Sequence, residues 1–479
     1  MTTLKCRRRA TCLSVGVLLS MMVLLLPPDG AMPTSANRVA AIAVLMAMLW
    51  ITEAIPIPAT ALLPVALFPI LGVMPVEDAT ANYANHLVFL FLGGFWIAAA
   101  VERSRLHRRI ALQVLGLVGD RQDRIVFGFM AATAFLSMWL SNTATTMMML
   151  PIAMAVAGRL DGGAHTPFGR SLMLGIAYAA SIGGVATLIG TPPNAVLAGI
   201  VEKTQGISIG FGQWMQFGVP LALVMLFICW WYLTHLNARL GAREGERGLQ
   251  MIAQERVGLG GMSRAEQRVM LVFGAVAVLW VAKGLFPWSW LNGLNDSTIA
   301  MAGALALFVI PAGTDDRSAL LDWESAVHIP WDVLILFGGG FALAQGFQQS
   351  GLTGWIGQQL DFLQHLHWFV LVVAVAMVTI FLTEMTSNTA TASMLLPIVA
   401  GLAAAAGQEA FTPMVATALA ASFAFMLPVA TPPNAIVFAS RQVTIAEMAR
   451  AGIWMNLIGI TVIAAFVAFV LPWVWGSTR

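Results

Sequence analysis

The sequence predicts an all-α polytopic membrane protein: two inverted repeats, about 11 transmembrane helices and two re-entrant helical hairpins with broken helices. Three observations carry that reading. Hydrophobic residues make up 59% of the chain, charged residues 10%, and the mean hydropathy is +0.81, too apolar for a soluble core inside a solvated shell. A series of motifs occurs twice in the same order. A loop with six arginines has a counterpart in the other half that carries no Lys or Arg.

The repeat is anchored on Ser141-Asn142-Thr143-Ala144-Thr145, which recurs 246 positions later as Ser387-Asn388-Thr389-Ala390-Thr391. At that offset Ser137 falls on Thr383, Leu150-Pro151-Ile152 on Leu396-Pro397-Ile398, and Phe91 with Gly93-Gly94-Phe95 on Phe337 with Gly339-Gly340-Phe341. A second pair, Gly190-Thr191-Pro192-Pro193-Asn194-Ala195 and Ala430-Thr431-Pro432-Pro433-Asn434-Ala435, lies at an offset of 240. An ordered set of motifs with one small length change is an internal duplication. Polar triads inside apolar segments are costly unless they face protein, water or a ligand, so placing them there twice points to a site.

In chain order, Lys5-Cys6-Arg7-Arg8-Arg9 precedes an apolar run from about Leu13 to Leu26. A signal peptide shares this shape, but Pro27-Pro28-Asp29-Gly30 follows with no small-x-small cleavage site, which favours a retained helix with a cytoplasmic N-terminus. Residues 1–37 form this helix and its lead-in, and the first repeat spans 38–236. Its apolar segments lie near 39–55, 57–72 and 86–101, the first two separated by Pro56 and Pro58. A basic loop follows, with Arg103, Arg105, Arg108, Arg109, Arg121 and Arg124. Residues 125–158 then carry no charge and hold the SNT triad near their middle, and either half is shorter than the ~20 residues a crossing needs, so they read as a re-entrant hairpin.

A helix near 171–189 runs into the Thr191-Pro192-Pro193-Asn194 break, and another spans about 215–236. The cytoplasmic linker, 237–268, carries Arg239, Arg243, Arg247, Arg256, Arg264 and Arg268. The second repeat, 269–479, has helices near 267–286, 298–310 and 331–347, a hairpin near 370–406, a broken helix at 413–440 and a last helix near 453–475 with an external C-terminus. Loop 102–124, with six arginines, aligns with loop 348–370, which has no Lys or Arg. Under the positive-inside rule these equivalent loops lie on opposite faces, so the repeats are inverted. Inverted repeats with interrupted helices build secondary transporters whose broken tips meet near the midplane.

Half-helix N-termini present free N–H groups and a positive dipole end, which favour an anion, and Ser, Asn and Thr add neutral donors. Carbonyls freed at Thr191-Pro192-Pro193 and Thr431-Pro432-Pro433 suit a small hard cation. Neither hairpin tip holds Arg or Lys, so a multiply charged anion needs co-bound cations to neutralise it.

These paired motifs resemble the divalent anion/sodium symporter family, which includes INDY-type dicarboxylate and citrate transporters and sodium-sulfate transporters. The resemblance covers the chain from about residue 38. It implies a homodimer in a plasma (inner) membrane, surrounded by lipid, each protomer divided into a scaffold and a transport domain that moves like an elevator. It implies co-transported Na+, one ion held by Ser137, Ser141, Asn142 and the Gly190 backbone, the other by Thr383, Thr386, Asn388 and the Ala430 backbone, with Thr386 acting through its carbonyl. Substrate would meet Ser141, Asn142, Thr143, Ser387, Asn388 and Thr389, with Thr431 and Pro432 shaping the pocket. The expected function is sodium-coupled symport of a C4-dicarboxylate. A dicarboxylate exchanger is the first alternative, although the cation positions carry none of the basic residues such exchangers place there, and a sodium/sulfate symporter is the next.

Other features have structural readings. Gly93-Gly94 and Gly338-Gly339-Gly340 read as close helix packing, and Pro151 and Pro397 as kinks or ends of the outgoing half-helices. Glu53 and Glu384 are intramembrane carboxylates able to satisfy backbone donors or to couple a cation. Lys283 is expected to snorkel, His365 and His367 to lie in an external loop, and tryptophans such as Trp288, Trp290, Trp473 and Trp475 to anchor the interface. Cys6, Cys12 and Cys229 show no metal or disulfide spacing. An intramembrane enzyme would need a nucleophile with a base, paired carboxylates or a metal cluster at membrane depth, and the apolar segments hold no HExxH, no GxSxG and no paired Asp. A channel would share the broken helices but not the need for inverted repeats, a sodium/proton antiporter would lean on membrane carboxylates, and nothing in the charge pattern points to nucleic acid.

Overall fold

The computed structural model describes residues 2–25, 32–117, 119–161, 166–240, 246–286, 293–313, 318–359 and 366–476, and their regular elements are all helical. The first helix is α1 (Thr2–Leu25), followed by α2 (Thr34–Thr52), α3 (Ile57–Ala61), α4 (Leu63–Ile70), α5 (Val76–Ala81), α6 (His86–Arg103) and α7 (Leu106–Leu115). The first hairpin is α8 (Gln122–Ser137) and α9 (Asn142–Asp161), and the broken helix behind it is α10 (Pro167–Gly184) and α11 (Pro192–Gln205). Then come α12 (Phe211–Trp231), α13 (Glu246–Gly258), α14 (Arg264–Leu285), α15 (Asp296–Val309) and α16 (Trp323–Ala326). The second half continues with α17 (Trp331–Gln349), α18 (Leu352–Gln359), the hairpin α19 (Trp368–Thr383) and α20 (Asn388–Ala405), the broken pair α21 (Phe411–Ala421) and α22 (Pro432–Ala439), α23 (Ile445–Phe469) and α24 (Leu471–Trp475).

Local chemistry sets the ends. Ser263 with Glu266 and Thr444 with Glu447 form capping boxes that start α14 and α23, and Asn85 caps α6 by accepting from the Leu87 N–H. Segment 57–72, expected as one crossing, is two short helices, with Pro58 and Pro64 each in a first turn. Among the described residues, seven helical spans are long and apolar enough to cross a bilayer, and five apolar helices are shorter, so helix length alone does not reproduce the expected eleven crossings. Pro151 and Pro397 sit inside α9 and α20, which continue past them to Asp161 and Ala405.

The duplication is visible as paired contacts. Phe91 of α6 packs edge-to-face on its own counterpart, Phe337 of α17, with centroids 4.8 Å apart. The two helices run antiparallel: Asn82, just before α6, donates to Gln345 near the end of α17 (2.8 Å), while Glu102 at the end of α6 shares a cavity with Asp332 at the start of α17. A residue touching its counterpart across antiparallel equivalents is what a two-fold axis in the membrane plane requires. Exchange between halves is reciprocal as well: α9 packs on α22 and α20 on α11, α10 on α22 and α21 on α11.

The glycine runs let these helices close. A Cβ on Gly93 would meet the Ala300 backbone at 2.8 Å, and one on Gly339 would overlap the Ala61 carbonyl. Both basic loops lie at one end of the molecule, where Arg108 pairs with Glu255 (2.5 Å) and Arg109 with Glu266 (2.7 Å). Some expectations are corrected. Lys283 does not simply snorkel: it pairs with Asp296 at 2.9 Å, because that carboxylate already holds the Phe211 N–H and a cation completes it. Trp50, Trp214 and Trp280 are fully buried rather than interfacial, their indole N–H groups reaching backbone carbonyls, whereas Trp473 is exposed. His367 caps α19; Trp288, Trp290 and His365 lie outside the described residues.

Gly339→Leu should force α17 off α3 and cost ~1–3 kcal/mol or more. Detergent thermal unfolding checks it: a lowered midpoint is expected, and an unchanged one would remove close packing as the reason for the glycine.

Candidate functional site

Four helix N-termini converge on one cavity of about 1220 Å³: Asn142, Asn388, Pro192 and Pro432, the first residues of α9, α20, α11 and α22, all line it. All four bring a positive dipole end, and α9 and α20 bring unpaired N–H groups as well, whereas α11 and α22 begin with Pro-Pro pairs that have no N–H to offer. The two SNT triads therefore face the same space. Ser141, Thr143, Ser387 and Thr389 line it with Asn142 and Asn388, and Gly190, Thr191, Thr386, Ala430 and Thr431 complete that wall.

Each hairpin tip is tied by the same device. Ser137 Oγ lies 2.6 Å from Asn142 Oδ1 and 2.7 Å from the Ala180 carbonyl. Thr383 Oγ1 repeats this with Asn388 Oδ1 at 2.7 Å and the Ala421 carbonyl at 2.9 Å. Both hydroxyl residues are fully buried behind the tips and do not line the cavity. Ser141 Oγ accepts from the Ala144 N–H and caps α9, whereas Thr386 bonds Thr391 Oγ1 (2.6 Å) and the Leu382 carbonyl (3.0 Å). The Thr386 hydroxyl is thus occupied.

The prolines do something different from what was expected. Pro192 and Pro432 start helices, where a missing N–H costs nothing, so the unwound backbone precedes them, at 185–191 and 422–431. Asn194 Nδ2 donates to the Thr187 carbonyl (2.8 Å), and Asn434 Nδ2 to the Ala424 and Leu427 carbonyls (3.1 and 3.0 Å), which pins each loop over the helix it precedes. In the first half Gly184 is bare because other groups fill the space: a Cβ there would meet Asn142 Oδ1 at 2.9 Å and the Gly190 carbonyl at 3.1 Å. Ser137, Asn142 and Gly190 thus gather neutral oxygens at one point, a donor set that fits a small hard cation. The second half brings Thr383 and Asn388 together and places Ala430 on the same cavity wall.

Glu384 answers an open question. Its carboxylate accepts from three consecutive N–H groups, Phe425 (2.7 Å), Met426 (2.8 Å) and Leu427 (3.0 Å), and from Asn456 Nδ2 (2.8 Å). It braces the unwound segment of the second half, a role its type permitted but its position alone did not reveal. Glu53 ends α2 in the left-handed region (φ 48°) and lines the cavity mouth with Glu102, His328 and Asp332. Of these, Glu53 stood out in the sequence as an intramembrane carboxylate, whereas Glu102, His328 and Asp332 did not, because they come from segments distant along the chain. Arg103, also at the mouth, is paired with Asp322 at 2.6 Å.

Glu384→Ala would remove the acceptor of three consecutive N–H groups, of which only that of Phe425 has another partner, Asn456 Oδ1 at 3.3 Å, and should lower stability by at least ~2 kcal/mol. Thermal unfolding of purified protein tests this, and a midpoint equal to that of the unsubstituted protein would exclude the brace.

Comparison with known proteins agrees with this architecture. The model of the sodium:sulfate symporter transmembrane region matches residues 7–476. The sodium-dependent dicarboxylate transporter SdcS of Staphylococcus saprophyticus is 43% identical over 475 residues, 97% of this chain and 92% of that protein. SdcS of Staphylococcus aureus strain USA300 is 42% identical, with 97% and 91% covered. Among solved structures, Neisseria gonorrhoeae MtrF, of a class of antimetabolite efflux pumps, aligns with a TM-score of 0.60 at 14% identity, covering 94% of this chain and 98% of that one. The Alcanivorax borkumensis YdaH transporter aligns at 0.56 and 13%, covering 92% and 99%. At such low identity these two speak for the fold alone. By a match that runs almost from end to end, the chain belongs to the sodium:sulfate symporter family, the divalent anion/sodium symporters.

Proposed function

We propose that the protein is a sodium-coupled symporter of small dianions, with C4-dicarboxylates such as succinate, malate and fumarate as substrates. The convergence of four helix N-termini on a cavity whose SNT wall has no basic side chain carries this reading. Backbone N–H groups and neutral amides draw an anion, and two cations held beside them offset its remaining charge. One Na+ would sit among Ser137, Ser141, Asn142 and Gly190, the other among Thr383, Thr386, Asn388 and Ala430. The substrate would lie between Ser141-Asn142-Thr143 and Ser387-Asn388-Thr389, against Thr431 and Pro432. The names of the Staphylococcus relatives support both the ion and the substrate class.

In this reading residues 38–236 and 269–479 are the two repeats joined by linker 237–268, and the basic loops and the N-terminus face the cytoplasm. The C-terminus is external, the protein is a homodimer in the plasma membrane, and the site-bearing hairpins and broken helices move as an elevator against the remaining helices. The cavity mouth at Glu102, Arg103 and Asp332 then opens to the cytoplasm.

Uptake of labelled succinate into proteoliposomes tests the function, with an inward sodium gradient, with potassium in its place, and with succinate preloaded. Sodium-dependent uptake into empty vesicles is expected. Uptake that ignores sodium and needs internal dicarboxylate would make the protein an exchanger, and competition by sulfate but not malate would change the substrate class. Asn388→Ala should lower uptake at least ~100-fold, since it removes a ligand of cation and anion together. Normal transport by both Asn142→Ala and Asn388→Ala would overturn the site.

A further inference from the structure

We propose that the polar cluster formed by Asn82, His86, Glu202, Lys203 and Gln345 is the gate that closes the site on the face opposite the cavity mouth. The inference rests on the alternating-access reading above. Its first support is position. Helix α6 carries Ala98, Ala99 and Glu102 in the cavity wall, and His86 stands at its other end, about 25 Å away along the axis. Helix α11 likewise begins at the cavity with Pro192 and ends at Glu202 and Lys203. The cluster is therefore where the element bearing a site N-terminus meets α6 and α17 on the far side.

The contacts there are specific. His86 Nε2 lies 2.8 Å from Glu202 Oε2, Lys203 Nζ donates to Asn82 Oδ1, and Asn82 Nδ2 donates to Gln345 Oε1 at 2.8 Å. Ser297 Oγ donates to the His86 carbonyl at 2.6 Å and holds that end of α6 to α15. The side chains of His86 and Glu202 are 37% and 34% exposed, so water replaces their bond readily when the elements part.

The duplication supplies the second support. At the offset of 246, Asn82 corresponds to His328, His86 to Asp332, Gln345 to Ala99 and Ser297 to Ile51. All four counterparts line the open cavity. Positions joined on one face are thus parted on the other, as a pair of gates related by an inverted repeat must be when one is shut and one open. The chemistry differs between the two faces, since Glu202 and Lys203 correspond at the offset of 240 to Gln442 and Val443. The His86–Glu202 contact belongs to the closed face alone.

Two measurements test the gate. In a background lacking Cys6, Cys12 and Cys229, His86→Cys with Glu202→Cys is bridged by a reducible bis-methanethiosulfonate reagent, and succinate uptake is followed before bridging, after it and after reduction. Uptake should fall at least about tenfold and return on reduction. A bridged protein that transports at the unbridged rate would show that these residues stay together through the cycle and would overturn the gate. Separately, Met147→Cys, in the cavity wall, is labelled by an impermeant maleimide from each face, with and without Glu202→Gln and Lys203→Met. Opening the gate should slow labelling from the basic-loop face and speed it from the other severalfold; unchanged sidedness would overturn the proposal. This readout needs no transport, so it separates failure of the gate from failure of the symport reading, which would appear as absent uptake by the unsubstituted protein.

Discussion

A helix that stops inside an apolar protein leaves N–H and C=O groups that water cannot reach, and this chain starts four helices around one cavity. Much of the surrounding structure answers that constraint. Ser137 and Thr383 tie the tip amides to carbonyls of the neighbouring broken helix, so the hairpin and the helix behind it form one piece. Asn194 and Asn434 hold the unwound carbonyls, and Tyr178 reaches from the first half to the Phe425 carbonyl in the second (2.8 Å). The first N–H groups of α9 and α20, at Asn142 and Asn388, stay free at the cavity wall, where a ligand can use them.

The halves solve the same problem with different chemistry. Leu427 corresponds to Thr187 and Glu384 to Met138 at the offsets of 240 and 246. In the first half Thr187 Oγ1 donates to the Met138 carbonyl at 2.6 Å; in the second the Leu427 N–H donates to the Glu384 carboxylate at 3.0 Å. The same link is kept while the groups that make it are exchanged. A carboxyl group that accepts three backbone N–H groups and an amide has little capacity left for a further ligand, which makes Glu384 a brace of the unwound segment.

The same symmetry joins site and gate. The contact of Phe91 with its own counterpart Phe337 relates positions on one face to equivalents on the other. A fully symmetric molecule would be open or shut on both faces together. Here the images differ, with the His86–Glu202 pair made on one side and Asp332 bordering open space on the other.

The sequence by itself determined the class, the duplication and the two polar triads that the fold brings to one cavity. Hydropathy, the recurrence of Ser-Asn-Thr and Thr-Pro-Pro-Asn, and the arginine imbalance between equivalent loops are all local or periodic properties, and a linear pattern carries them in full. It also placed the glycine runs at helix contacts, because only small residues let two backbones approach so closely. Tertiary structure alone decided what depends on distance between remote segments. The Gly190 carbonyl lies beside the Asn142 amide because Gly184 leaves the space open, and a backbone oxygen has no letter in the sequence. The partners of Glu384 and Lys283, the burial of Trp50, Trp214 and Trp280, and the mouth residues Glu53, Glu102 and Asp332 depend likewise on how separate helices are brought together. Side-chain type sets what a residue can do, and packing sets which of those things it does.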